Sequence, residues 1–416
     1  MFSVLRNRNF ALLWIGQLIS IIGDWLLVLA LPFYIFDLTN STLATGGMFI
    51  ATSVPRLLLG SLGGVFADRW DRRTMMIVTD LLRAAILLLL LLVHSVSWLW
   101  LIYTVALLES AISQFFAPAK GALVPQIVAS EELVTANSLD SFSEAVTRLL
   151  GPTLGGALYA LFGIISIVTI DSSSYLISAL LIFLIAFRPL TAQQSAPAVE
   201  QSQVTPKTIW LKLWHELVDG LHLVRKDQLL RTIFAGMGVM MIAEGIIEVL
   251  LVAFTKQILH GNASTLGWIM AAQGVGALLA SIFSQQVIRL FQPRYLLMLS
   301  FGIIGLLLIV VFNVSIFAVA LIVMAIAGAL IVWAMVTAQT LMQKAVADSY
   351  RGRVFGAYST VLSLMVLIGM GIASAFTGLL GTTILLDISG IIFALSALLF
   401  IKMPAASLTT PETPLA

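Results

Sequence analysis

Cysteine is missing from this 416-residue chain, which excludes disulfides, thiolate metal sites and thiol catalysis. Charge is scarce too: Asp, Glu, Lys and Arg make up 10% of the residues, against roughly a quarter in an ordinary globular protein. Histidine occurs four times, as His94, His215, His222 and His260. Two fall near turns and two on one amphipathic stretch, so neither a metal cluster nor a catalytic dyad is expected. No metal, cofactor or enzymatic activity is therefore expected. A phosphate-binding loop is also absent, which argues against ATP-driven work by this chain. The net charge of +2 singles out no partner, and no nucleic-acid partner is expected.

What the chain has instead is apolar length. Hydrophobic residues form 60% of the sequence and the mean hydropathy is +1.05. Apolar runs of about 20 residues recur from end to end, enough to cross a hydrocarbon core of roughly 30 Å as helices. Backbone groups in lipid must bond within the protein, so a helical bundle is expected, and the alternation of a membrane barrel is absent. The run after MFSVLRNRNF is about 25 residues, longer than the core of a cleaved signal peptide, and reads as a first membrane helix. Twelve spans are expected near 10–36, 43–67, 74–94, 97–118, 139–162, 164–187, 229–254, 264–289, 293–312, 315–343, 351–380 and 382–402. With the N-terminus inside, inner segments hold 18 of the 22 Lys and Arg residues. Both termini are therefore expected in the cytoplasm, with the chain in the cytoplasmic (inner) cell membrane.

Residues 189–206, PLTAQQSAPAVEQSQVTP, are polar, proline-containing and aperiodic, as a linker is. Beyond them Trp210, Leu213, Trp214, Leu217, Leu221 and Val224 recur at helical spacing. They predict an amphipathic helix on the inner membrane face, with a partner-binding helix as the alternative. The expected organisation is a six-helix half at 1–188, linker and amphipathic helix at 189–227, a second half at 228–403 and a tail at 404–416. The halves align at an offset of 218 residues, with Val128 and Ala129 on Val346 and Ala347, Gly151 on Gly369, and Gly163 on Gly381. At nearly the same offset Asp24 falls against Glu244 and Asp171 against Asp387. The fold class is an all-α membrane protein, twelve transmembrane helices in two pseudo-symmetric six-helix halves. A repeat of this kind places a binding site near the bilayer midplane.

The densest charge, GVFADRWDRR at residues 64–73, falls in the short loop after the second span. Gly64 lets a neighbouring helix approach closely. Asp68 can bond a helix N-terminus and sit in its positive field, while Arg72 and Arg73 can pair with acidic groups. Made in one conformation and broken in another, such contacts form a latch. These residues resemble the signature of the major facilitator superfamily, G-x-x-x-D-x-x-G-R-[KR], with Asp71 where that family usually has glycine. ADRWDRRTMMIVTDLLRA, FFAPAKGALVPQIVASEEL and YRGRVFGAYSTVLSLM are similar to its macrolide-efflux-like exporter branch, and the matches spread over nearly the whole chain. The resemblance implies the major facilitator fold, and it implies contact between Asp68 and the start of span eleven, near Gly352 and Arg353. TRLLGPTLGG in span five resembles the family's antiporter motif. There Pro152 removes a donor and bends the helix, while Gly151, Gly155 and Gly156 form a smooth packing face.

Ionisable residues inside a membrane are functional candidates by default. Asp24, Glu244, Glu248, Arg56 and Glu109 fall within spans, as do Glu144 with Arg148 and Asp80 with Arg83. The last two sets have intrahelical spacing and read as structural pairs. Asp171 reads as an interfacial acid. Asp24, Glu244 and Glu248 have no basic partner on their own helix, and desolvation disfavours a charged carboxylate. The expectation is that Asp24, with Glu244 or Glu248, couples proton entry to substrate exit, and that Arg56 or Arg148 modulates it. Span four reads LLESAISQFF, with Glu109 and no arginine where many drug/proton antiporters of the superfamily carry R-x-x-Q-G. Trp25, Phe33, Tyr34, Phe115, Phe116, Met240, Met241, Trp333 and Met335 are the candidates for an apolar substrate cavity, which suits amphiphilic organic molecules. The expected partners are a small-molecule substrate, protons and the lipid bilayer, with the chain a monomer. The favoured reading is a proton-coupled exporter of drug-like or macrolide-like molecules. Export of a siderophore or lipid-like metabolite and a non-transporting membrane sensor stay open beside it.

Overall fold

The computed structural model describes residues 2–60, 70–186 and 206–404, without the side chains of residues 2, 3, 206–214, 216 and 349. Gly64 and Asp68 of the loop motif, residues 189–205 of the linker and the tail from 405 lie outside the described residues. Eleven helical runs among the described residues are long and apolar enough to cross a membrane. The longest, Ser130–Phe183, is broken at Gly163, which makes twelve spans. In chain order they are α1 (Arg8–Thr39), α2 (Thr42–Leu59), α3 (Arg72–Leu88), α4 (Leu99–Ile127), α5 (133–162) and α6 (164–183). The amphipathic helix α7 (Pro206–Lys226) follows. After it come α8 (Gln228–Gln257), α9 (Ala263–Leu290), α10 (Pro293–Phe312), α11 (Phe317–Ala345), α12 (Asp348–Leu380) and α13 (Thr382–Leu399).

The internal repeat is written into the backbone. Helices α4 and α11 are both 29 residues long and start and end 218 residues apart. After them Val128 (φ −119°, ψ 138°) matches Val346 (φ −111°, ψ 128°), and Ala129 (φ −63°, ψ 149°) matches Ala347 (φ −60°, ψ 148°). Gly163 (φ 71°, ψ −172°) and Gly381 (φ 85°, ψ 161°) each turn the chain between two spans with a single residue. That region of backbone space is open essentially to glycine alone. The same pair of glycines aligns in the sequence because the same turn is made twice.

The described residues group into two compact units, 1–195 with 261–271, and 196–260 with 272–416. In the first, α1 packs against both α5 and α6, α3 against α4 and α6, and α2 against α4. Apolar cores hold it, among them one around Phe10, Met76, Leu123 and Ile182, another around Ile35, Leu87, Ile102 and Tyr175, and a smaller one of Leu26, Ala30 and Ile167. In the second unit α8 packs on α12 and α13, α10 on α11 and α13, and α7 on α12. Large apolar side chains also cover the outside, among them Leu161 at 74% and Leu379 at 80% exposed. A soluble monomer keeps such patches small; in a bilayer they meet acyl chains. Helix α6 shows the logic: Ile165, Ile170, Leu176, Ile177 and Leu180 face out, while Asp171, Ser174, Tyr175 and Ser178 are buried.

Candidate functional site

The site is built in the first unit, where α1 is gripped from two sides. Gly151 and Gly155 of α5 admit the backbone and Cβ of Trp25 and Leu26; a Cβ on Gly155 would stand 2.9 Å from the Leu26 Cα. On the opposite side Gly23 leaves room for the Asp171 carboxyl and the Ser174 hydroxyl of α6, which a Cβ there would overlap. Asp24 sits between these two close approaches and turns toward α3 and α4. The kink motif therefore sets the position of the acid. Gly156, with the Pro152 carbonyl, receives residues Ala263 and Gly267, which group with the same unit.

Arg83 of α3 is the hub. Its Nη2 donates to Asp24 Oδ1 at 2.9 Å and to Glu109 Oε1 at 2.5 Å, and its Nε donates to the same Glu109 oxygen at 2.8 Å. The guanidinium lies 4.1 Å from the centroid of the Tyr175 ring, and the Tyr175 hydroxyl donates to Asp24 Oδ1. One α6 aromatic thus stacks on the cation and fixes the anion. Side-chain exposure falls from 33% at Asp24 through 18% at Glu109 to 7% at Arg83. The acids are thus partly accessible while the base stays buried. Neighbouring bonds brace the set: Ser172 Oγ to the Ala84 carbonyl at 2.8 Å, and Ser110 Oγ to the Thr52 carbonyl at 2.5 Å.

Two more acids flank this centre. Asp171 is fully buried; Ser174 donates to its Oδ1 at 3.3 Å and its Oδ2 has no partner. Asp80 is fully buried with neither carboxyl oxygen bonded, and the Ser178 hydroxyl close to it is unsatisfied as well. Four carboxyl groups thus share one guanidinium, a formal charge of −3 if all were ionised. Burial makes such an excess of like charge unfavourable.

The structure redistributes the expected charge pairs. Arg83 pairs with Asp24 and Glu109 and not with Asp80, because carboxylates on α1 and α4 reach it across the packing. Glu144 and Arg148 are both exposed and form no ion pair with each other. Arg56 is exposed as well, so neither it nor Arg148 is the cation that touches the acids. Asp171 is a core residue and not an interfacial one. Sequence reasoning missed Tyr175 altogether. The signal was there in DSSSYLIS: positions 171, 174, 175 and 178 put an acid and three hydroxyls on one face of an apolar helix. In the second unit Glu244 is half-buried and makes no hydrogen bond or ion pair among the described residues; Glu248 is exposed.

The arginines of the loop motif have local work. Arg73 donates to the Ile182 carbonyl at 3.1 Å and to the Phe183 carbonyl, closing the C-terminus of α6, where orphan carbonyls gather. Arg72 reaches the Ala122 carbonyl at 3.4 Å. Asp71 caps α3, accepting from the Thr74 backbone N–H at 2.8 Å. The Thr74 side chain and backbone N–H hold its carboxyl below the usual carboxylate range. This explains an acid in a place where glycine is usual. Arg353 meets Asp219 of α7 at 3.5 Å, and Gly352 has open space beside it.

The aromatic and methionine candidates divide. Met240 and Phe33 are 1% exposed and belong to cores. Tyr34 donates to the Val93 carbonyl at 2.8 Å, and Phe115 packs on the Phe10 core. Trp333 donates to the Ala280 carbonyl at 3.0 Å, while Trp25 stays partly exposed next to Asp24.

The profile of a family described as transmembrane secretion effectors, of the major facilitator (MFS) class, matches residues 1–413. YfiS of Bacillus subtilis, an uncharacterised MFS-type transporter, is 28% identical over 228 residues, covering 55% of this chain and 52% of that protein. Macrolide efflux protein A of Streptococcus pyogenes is 26% identical over 179 residues, covering 42% of this chain and 44% of that protein. The matched stretch spans about half the length of these curated relatives or less. Among solved structures, a bacterial homologue of the iron transporter ferroportin superposes with a TM-score of 0.74 at 17% identity, over 96% of this chain and 99% of the other. The nucleoside transporter NupG gives 0.75 at 12% identity, over 96% and 100%. At these identities the structural likeness speaks for the fold.

Proposed function

Because the chain belongs to the transmembrane secretion effector family of the major facilitator superfamily, we propose that it is a secondary exporter of small amphiphilic organic molecules driven by proton exchange. The observation that carries the reading is the cluster of four carboxyl groups around Arg83. Asp24 Oδ2 and Glu109 Oε2 have no donor among the described residues, and the side chains of both acids are partly accessible. A proton arriving there neutralises one carboxylate and weakens its hold on the guanidinium. Tyr175 keeps Asp24 oriented through the exchange. Alternating exposure of this centre to the two faces of the cytoplasmic membrane would tie proton entry to substrate exit, as the superfamily's rocking halves require. Glu244, placed at the matching point of the second half, is the proposed second acid of the cycle. Likeness to macrolide efflux protein A supports the outward direction and an apolar, drug-like cargo. The proposed working unit is a monomer with both termini in the cytoplasm.

The test is accumulation of a fluorescent amphiphilic dye in cells with and without the gene, each with and without a protonophore. The account expects lower accumulation only in expressing cells without protonophore, and loss of that difference in Asp24→Asn. Equal accumulation in all four conditions overturns it.

A further inference from the structure

Asp80 is the acid that the proton-exchange reading leaves unused. It is 0% exposed, with both carboxyl oxygens unbonded, and the Ser178 hydroxyl near it is unbonded too. An ionised carboxylate held there would have only the Ser178 hydroxyl close by and no cation in contact, an unfavourable state in a buried place. Yet Asp80 stands three residues before Arg83 on α3, the spacing at which an acid and a base on one helix meet. Arg83 is occupied elsewhere, by Asp24 at 2.9 Å and Glu109 at 2.5 Å. Toward the N-terminal end of α3 the way is closed by Met75, Met76 and Ile182, at 4%, 0% and 0% exposure. Exchange at Asp80 therefore runs through the Arg83 cluster. The charged and titratable groups that act on it are Arg83 on its own helix and Asp24 on α1; Glu109 on α4 and Asp171 and Tyr175 on α6 lie around Arg83 in turn.

We propose that Asp80 is a second proton-binding site and the alternate partner of Arg83. The inference rests on the proton-exchange reading of the cluster. When Asp24 or Glu109 takes up a proton, its carboxylate becomes neutral and releases the guanidinium, which turns toward Asp80, one helical turn away. The Asp80 O–H bond breaks, its proton leaves by way of the partly accessible acids of the Arg83 cluster, and a carboxylate–guanidinium pair forms. One proton has entered at Asp24 or Glu109 and one has left Asp80; Arg83 stays protonated throughout. The buried charge is the same before and after, which is why the step is accessible in a low-dielectric interior. Its mechanical result is directional: the guanidinium lets go of whichever helix, α1 or α4, carries the newly neutral acid, and gains a partner on α3. Proton uptake thereby loosens α3 from the helix that carries the protonated acid.

The signature is a carboxyl group that loses its proton as the medium becomes more acidic. Infrared difference spectra of the purified protein in lipid vesicles, recorded across an acid pH jump, read this directly. The expected spectrum has a gain of protonated-carboxyl absorption from Asp24 or Glu109 and a simultaneous loss from Asp80. The loss band should vanish in Asp80→Asn and move in Asp80→Glu, with folding of each variant checked by its melting temperature. An acid jump that produces gains alone in the unaltered protein overturns the proposal, whether or not the variants fold. So does a loss band that is unchanged in position and size in both variants. Because the probe is the proton itself, the result stands apart from the dye experiment. Absent dye export with a loss band present would sink the exporter reading and leave the Arg83 exchange standing.

Discussion

Arg83 concentrates the physics of the site in one side chain. It bonds carboxylates from two helices, stacks on a tyrosine from a third and is 7% exposed. Removing one member of a buried ion pair leaves uncompensated charge and costs about 3–5 kcal/mol. Arg83→Gln should therefore lower the detergent melting temperature markedly, and Arg83→Lys should not restore it, because an ammonium cannot reproduce the fork and the stack. Melting of the glutamine variant at the wild-type temperature would show that the cluster adds nothing to the fold. At this scale the sequence was half legible. The rule that intramembrane charge is functional picked out Asp24 and Glu109 without any structure. The partner of Arg83 was misread because helix spacing sees only i, i+3 neighbours, and Asp80 offers that spacing. Nothing local reveals that α1 and α4 bring better-placed carboxylates. Asp171 reads as an interfacial acid because it lies only eight residues after the Gly163 turn; the packing of Gly23 against it is what shows that it is buried in the core.

Elements were the most legible level. Apolar run length gave the spans, and an offset of 218 residues recovered from a few scattered identities turns out to relate two 29-residue helices and the turns that follow them. The twin glycine turns permit a quantitative check. At Gly163 and Gly381 an added Cβ meets nothing within 4 Å, so the only penalty for alanine is backbone strain at φ 71° and 85°. Gly163→Ala and Gly381→Ala should each destabilise the protein by about 1–3 kcal/mol, by similar amounts, and additively in the double variant. Thermal melting of the two single variants and the double variant decides this; a large effect at one turn and none at the other contradicts equivalence of the two turns. Less legible was the role of α7. Its amphipathic stripe predicts a membrane-surface helix, but Val224 is buried, Leu221 is 39% exposed and Gly220 lies against Arg353 and Ala357 of α12. A stripe records an apolar face without saying whether lipid or protein covers it.

For the whole molecule, composition and repeat were enough to specify twelve spans in two matched halves, and the family match over residues 1–413 agrees. What composition could not supply is which half holds the chemistry. Among the described residues the acid cluster lies in the first unit, and in the second Glu244 stands at the position matching Asp24 and Asp387 at that matching Asp171. The central claim, that protons exchanged at this cluster drive export, is tested most directly with purified protein in vesicles carrying an imposed pH gradient and a fluorescent amphiphilic dye. The account predicts uphill dye movement when the gradient is present, none when it is collapsed, and none in Asp24→Asn although dye still binds. Dye movement that ignores the gradient, or that proceeds equally in Asp24→Asn, would contradict it.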